Sequence, residues 1–76
     1  MIVGDLIYND DFDCNCNYAI YDGSDGKQYE DGAKLLFSTK RDGFCKPLNW
    51  ILDLKIKYIT IHNSVIVIEA TRWNGD

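Results

Sequence analysis

The sequence has little of what secretion, membrane insertion or a disulfide framework would need. It contains three cysteines, an odd number that argues against a complete set of disulfides. Its longest apolar runs, residues 49–54 and 64–70, are far shorter than the roughly 20 residues that span a bilayer. Residues 1–5 lack the basic and apolar regions of a signal peptide. We therefore expect a soluble protein of the host cell cytosol that does not bind membranes.

Catalytic residues are equally scarce. The glycines occur singly, four of the six in Asp-Gly pairs, so no phosphate-binding loop is present. No Cys-x-x-Cys pair is available to lower a thiol pKa. A cysteine nucleophile needs a histidine within hydrogen-bonding reach, and the topology predicted below places the only histidine, His62, far from the thiols. We predict that the chain is not an enzyme.

The chain does contain enough apolar material for a small core. Hydrophobic residues make up 46% of its 76 residues, which predicts one folded domain over residues 1–76. A chain of this size buries only about 60% of its unfolded surface. Its stability is therefore marginal, and a metal ion would help to hold it together.

Apolar spacing and turn signals predict an α+β fold. The predicted elements are a short helix over residues 2–9, strands over 18–21 and 34–40, one helical turn over 48–52, and strands over 54–61 and 65–71. The last two strands form a hairpin with a short loop. In the final strand Ile66, Ile68 and Ala70 share the core face, and we assign Ile59 and Ile61 to the same face.

The simplest assembly of these elements is a four-stranded antiparallel sheet in chain order. The N-terminal helix covers one face, and the helical turn precedes the C-terminal hairpin. This topology brings Cys14, Cys16 and Cys45 to one end of the sheet. It places His62 at the other end, a strand of about eight residues or roughly 25 Å away.

The three thiols predict a structural zinc site, which needs four converging ligands. Cys14, Cys16 and Cys45 supply three of them. The fourth is Asp11, because positions i and i+3 of a turn can face one centre. Asp42 and a water are the other candidates. The alternative interpretation is that Cys45 is a small buried hydrophobe and the other two are reduced loop thiols.

Charge is divided unevenly along the chain. Residues 1–31 carry eight acidic residues and one basic residue, a net −7, whereas residues 32–76 carry four acidic and seven basic residues, a net +3. An acidic half repels nucleic acid and attracts basic protein surfaces. The alternative is a solvated surface that keeps the protein soluble. The predicted partner-binding residues are Asp10, Asp13, Asp22, Asp25, Glu30 and Asp31.

Three short segments carry a general resemblance to a known class of proteins. They are Val-Gly-Asp-Leu-Ile at residues 3–7, Tyr-Asp-Gly at 21–23 and Val-Ile-Val-Ile-Glu at 65–69. With these segments, a small, acidic chain without a catalytic motif resembles the phage-encoded anti-CRISPR proteins, particularly those that inhibit the type II-A nuclease Cas9.

This resemblance implies stoichiometric inhibition by binding. Cas9 holds nucleic acid in strongly basic channels, so an acidic protein can occupy those surfaces and block loading of target DNA. A second hypothesis is a zinc-stapled interaction module with another protein partner. A third, direct binding of nucleic acid, is disfavoured by the acidic half.

Overall fold

The computed structural model describes residues 1–9, 16–23 and 32–72. Its elements are α1 (Val3–Ile7), β1 (Tyr18–Asp22), β2 (Lys34–Ser38), α2 (Thr39–Asp42), α3 (Asn49–Leu52), β3 (Lys55–His62) and β4 (Val65–Thr71). They form one four-stranded sheet with short helices, so the predicted α+β class is confirmed. None of the helices in this part of the chain is long and apolar enough to cross a bilayer.

The sheet is mixed and its strand order is β2-β1-β4-β3. β1 pairs with β2 antiparallel and with β4 parallel, and β3 pairs with β4 antiparallel. The prediction of a purely antiparallel sheet in chain order is therefore wrong. Because five of its seven residues are apolar, β4 is more stable at the centre of the sheet, where both of its edges are paired and residues 67–70 are buried.

The core lies between one face of the sheet and the helices α1 and α3. Its fully buried side chains include Val3, Ile20 and Ile68. Ile68 and Ala70 belong to the core cluster, and Ile66 packs against it, so the predicted core face of β4 is confirmed. The backbone N–H of Val3 donates to the carbonyl of Leu54 at 2.9 Å, which ties α1 to the entry of β3.

Both predicted helical segments are present. α1 occupies the middle of the predicted range 2–9, and Asp5 accepts a hydrogen bond from the N–H of Ile2 at 3.1 Å. Such a carboxylate satisfies one of the free N–H groups at the start of a helix. α3 follows Pro47 closely, where a proline is compatible with the approach to a helix.

The helical turn α2 occupies residues that were predicted to end the second strand. Ser38 accepts a hydrogen bond from the N–H of Lys40 at 3.2 Å, and Asp42 accepts one from the N–H of Ser38 at 3.1 Å. Gly43 then adopts φ 85° and ends the turn. These reciprocal caps outweigh the β propensity of Thr39, and the strand ends at Ser38.

β3 is an edge strand, and its C-terminal half is more exposed than predicted. Ile59 pairs with Ile68 and Ile61 pairs with Ile66, which places both on the helix-covered face as expected. Their side chains are nevertheless 42% and 71% exposed. Both residues therefore lie on the predicted face but stay exposed, because the five-residue α1 and the four-residue α3 are too short to cover the whole face.

Candidate functional site

The parallel pairing of β1 with β4 gathers several polar segments at the end of the sheet where β1 begins. The N–H of Ile66 donates to the carbonyl of Asn17 at 2.9 Å, and Ala19 pairs with Ser38. The β3–β4 hairpin therefore lies at the same end as Cys16, and so does its last β3 residue, His62. The prediction that His62 lies at the opposite end is wrong, because it assumed an antiparallel neighbour for each strand.

Thr39 attaches α2 to the first residues of β1. Its hydroxyl accepts a hydrogen bond from the N–H of Tyr18 at 3.1 Å and donates one to the side-chain oxygen of Asn17 at 2.8 Å. Thr39 is only 4% exposed. Because a buried N–H must find an acceptor, this hydroxyl fixes the relative position of α2 and the segment that follows Cys16.

Two of the predicted zinc ligands are described, and both lie near the start of β1. Cys16 is half-buried and Cys45 is exposed. The thiol of Cys45 donates to the carbonyl of Asp42 at 3.3 Å. Burial raises the pKa of the Tyr18 hydroxyl, with smaller contributions from Tyr8 and from Cys45. The alternative view of Cys45 as a buried hydrophobe is therefore wrong.

The zinc site itself stays a prediction. Cys14 and Asp11 lie outside the described residues. Within residues 1–9, 16–23 and 32–72, no three metal-binding side chains converge. Zinc requires four ligands in a structural site, so the two described thiols would need ligands from the rest of the chain.

Asp42, an alternative fourth ligand, is already engaged by α2. Its carboxylate accepts hydrogen bonds from Nε of Arg41 at 3.0 and 3.1 Å and from the N–H of Ser38 at 3.1 Å. The bond from Arg41, followed by that from Ser38, lowers the pKa of Asp42. Binding a metal through this carboxylate would break the caps that hold α2.

A shallow depression lies on the face of the sheet opposite the helices. Its volume is about 230 Å³, and its lining includes Ala19, Tyr21, Ser38, Lys40, His62, Asn63, Val65 and Val67. The alanine and the two valines form an apolar floor, while Lys40 and His62 contribute polar groups. A depression of this size suits a single side chain of a partner better than a complete small-molecule substrate, because ligand pockets measure roughly 300–1,000 Å³.

Glu69 lies on the same face and is the feature that the sequence analysis missed. It pairs with Tyr21 on β1 and Tyr58 on β3. Glu69 is 0% exposed, and neither carboxylate oxygen has a hydrogen-bond partner among the described residues. Its position on the face opposite Ile66, Ile68 and Ala70 follows from strand alternation, but its burial was not predicted. The signal for its burial was its position between apolar residues in a central strand.

Of the predicted partner-binding acids, only Asp22 is described. It is half-buried and ends β1, where it pairs with Lys34 on β2. Asp10, Asp13, Asp25, Glu30 and Asp31 lie outside the described residues. The structure therefore describes one of the six predicted acids, and binding of a partner by the other five stays a prediction.

The connection between α2 and α3 exposes large apolar side chains. Phe44 is 62% exposed, Leu48 is 65% exposed and Trp50 in α3 is 49% exposed. Tyr21 on β1, by contrast, is half-buried. Exposed aromatic side chains are typical anchors of protein–protein interfaces.

Comparison with protein-family models, curated proteins and solved structures gives no match. The charges, the exposed side chains and the thiols of this chain are therefore the features from which its function is inferred.

Proposed function

We propose that the chain is a stoichiometric protein inhibitor of a phage or mobile element, which binds the CRISPR nuclease Cas9 in the host cytosol and blocks loading of target DNA. The observation that carries the proposal is the concentration of charge: eight acidic residues and one basic residue within residues 1–31. Basic channels that hold nucleic acid are complementary to such a surface. The choice of Cas9 among basic partners comes from the resemblance described above.

The exposed apolar side chains support binding to a protein. Phe44 follows α2 by two residues, and Thr39 of α2 is hydrogen-bonded to Tyr18 at the start of β1. Asp13 precedes Cys16 by three residues in the sequence. An interface commonly combines an aromatic anchor with surrounding charges that steer association. Phe44 is our proposed anchor, and the predicted acids provide the steering.

The proposal is tested by measuring target-DNA binding by a Cas9–guide complex with increasing amounts of the purified protein. Binding should fall in proportion to the inhibitor until one inhibitor is present per nuclease. Exchange of Asp22 and Asp25 for asparagine should weaken inhibition roughly tenfold, the effect of about 1.4 kcal/mol. The matched control exchanges Asp53 and Asp76, two acids from the remainder of the chain, and should change inhibition little.

Salt provides a second measurement. Inhibition through exposed charges should weaken as ionic strength rises, because the Debye length falls from about 10 Å at 0.1 M to 3 Å at 1 M. Unchanged DNA binding and cleavage across several Cas9 orthologues would refute Cas9 as the partner.

A zinc-stapled interaction module with another protein partner is the second candidate. The specific observation in its favour is that the fold brings Cys16 and Cys45 to the same end of the sheet, where β1 begins and where Thr39 attaches α2 to Tyr18. Binding free energy at a structural zinc site is also folding free energy. One zinc per purified chain, with loss of cooperative unfolding after chelation, would support this candidate; titration of all three thiols in metal-free folded protein would exclude it.

A further inference from the structure

We propose that the C-terminal half of β3 is a self-association surface, which pairs antiparallel with β3 of a second copy of this chain. The proposal is independent of the Cas9 partner. β3 is the last strand of the sheet and pairs with β4 alone among the strands. At its N-terminal end, Ile2 bridges to Lys55 and the N–H of Ile56 donates to the carbonyl of Met1 at 3.0 Å. No such cover from the described residues reaches Ile59 or Ile61.

The hairpin loop fixes which backbone groups point away from the sheet. Asn63 and Ser64 have φ values of 53° and 65°, as in a two-residue type I′ turn. In such a turn the first flanking residue, His62, directs its carbonyl toward β4. Hydrogen-bonding direction alternates along an antiparallel strand. The backbone N–H and C=O groups of Ile59 and Ile61 therefore point outward, toward an added strand.

The outward-pointing backbone groups of Ile59 and Ile61 can form hydrogen bonds with the same groups of a second copy in one register. If the twofold axis passes beside Thr60, Ile59 of one copy lies opposite Ile61 of the other. Both residues have outward backbone groups, so each such pair can exchange two hydrogen bonds. The isoleucine side chains, which are 42% and 71% exposed in the single chain, would then pack across the new strand pair.

The charges of β3 also favour antiparallel pairing with itself. Lys55 and Lys57 lie at the N-terminal end of the strand, and both are exposed. In the register centred on Thr60, Lys57 lies opposite Asn63 of the second copy. The two Lys57 residues are then six positions apart, roughly 20 Å, which exceeds the Debye length of about 8 Å at physiological salt. Parallel pairing would instead put like charges side by side.

The dimer should be weak, because a few paired residues bury much less than the roughly 800 Å² per partner of a standard interface. Sedimentation equilibrium from micromolar to millimolar concentration should show a reversible monomer–dimer equilibrium. Exchange of Ile61 for lysine should raise the dissociation constant roughly a hundredfold, tenfold for each copy. Leu48→Lys, at a residue of similar exposure (65% against 71%), is the matched control and should leave the constant within about twofold.

A crosslinking experiment tests the register. The pair of Thr60 residues would have Cα atoms about 4.5 Å apart, within the range in which disulfides form. Thr60→Cys should give a covalent dimer on mild oxidation, with the link between the two introduced thiols identified by peptide mapping. Lys57→Cys should not give the corresponding link. A monomer at millimolar concentration would overturn the proposal, as would equal weakening by the two lysine exchanges or a link through position 57.

Discussion

Exchange of Glu69 for methionine should stabilise the protein. Glu69 is 0% exposed, and neither of its oxygens has a partner among the described residues. A buried polar group without a hydrogen bond costs about 1–3 kcal/mol in protein mutational series. Methionine has nearly the same shape as glutamate, so the exchange removes this cost without opening a cavity, and any repacking should cost less than about 1.5 kcal/mol.

The expected gain is therefore about 1–3 kcal/mol in the free energy of unfolding. For a domain of this size, each kcal/mol raises the melting temperature by roughly 4–8 °C. Thermal unfolding followed by circular dichroism and urea unfolding followed by tryptophan fluorescence should both show the increase. Glu69→Gln, which keeps two polar atoms at the end of the side chain, should be less stable than the methionine variant.

Glu30 offers a matched control, because it is the only other glutamate in the chain and the sequence places it in a polar, acidic connection. Glu30→Met should change the melting temperature little, since surface substitutions usually lie within about ±0.5 kcal/mol. A lower melting temperature for Glu69→Met would refute the reasoning. It would show that the Glu69 carboxylate makes a stabilising interaction that outweighs the cost of its burial.

Three further predictions concern the loop, the helical turn and its salt bridge. Ser64→Gly should stabilise the hairpin by about 0.5–1 kcal/mol in urea unfolding, because φ 65° strains a residue with a side chain. Thr39→Val should destabilise the protein by about 1–3 kcal/mol, because it leaves a buried N–H of β1 unpaired, whereas Thr60→Val on the edge strand should not. The pKa of Asp42 lies below its usual 3.8, so the contribution of this carboxylate to the free energy of unfolding is present above that pH and is lost as pH falls through the lowered pKa. NMR titration of the Asp42 carboxyl group should show the lowered pKa, and Arg41→Ala should move it back upward.

Local features of the fold could be predicted from the sequence because short-range physics determines them. The final strand was predicted over residues 65–71, and β4 has these bounds. Its β-branched residues and the turn before it are sufficient to define it. α2 was missed because its stability comes from the caps made by Ser38 and Asp42, which β-propensity does not include.

The strand order could not be predicted from the sequence, because it depends on which strands bury their side chains most favourably in the assembled sheet. Neighbouring strands pair most often, and that rule placed β4 at an edge. Residues 39–54, with α2 and α3, instead allow the chain to leave β2 and return on the far side of β1. The apolar character of both faces of β4 was the available signal for a central strand.

Only those parts of the candidate site that follow from residue composition were predicted. Residue types identified the thiols and the acidic half, but His62 was misplaced because the topology was wrong. Glu69 pairs with a tyrosine on each of the two neighbouring strands, and one of these tyrosines is far away in sequence. Such cross-strand neighbours are known only when the register is known.

The central position of β4 also has a consequence for how the chain folds. Tyr18 pairs with Ile66, residues separated by 66 − 18 = 48 positions in the sequence. Contacts between distant segments require closure of a large loop and slow the search for the native state. β1 and β2 are synthesised early, but the four-stranded sheet cannot form until β4 has been synthesised. During translation, β1 therefore remains without one of its two neighbouring strands until β4 has left the ribosome.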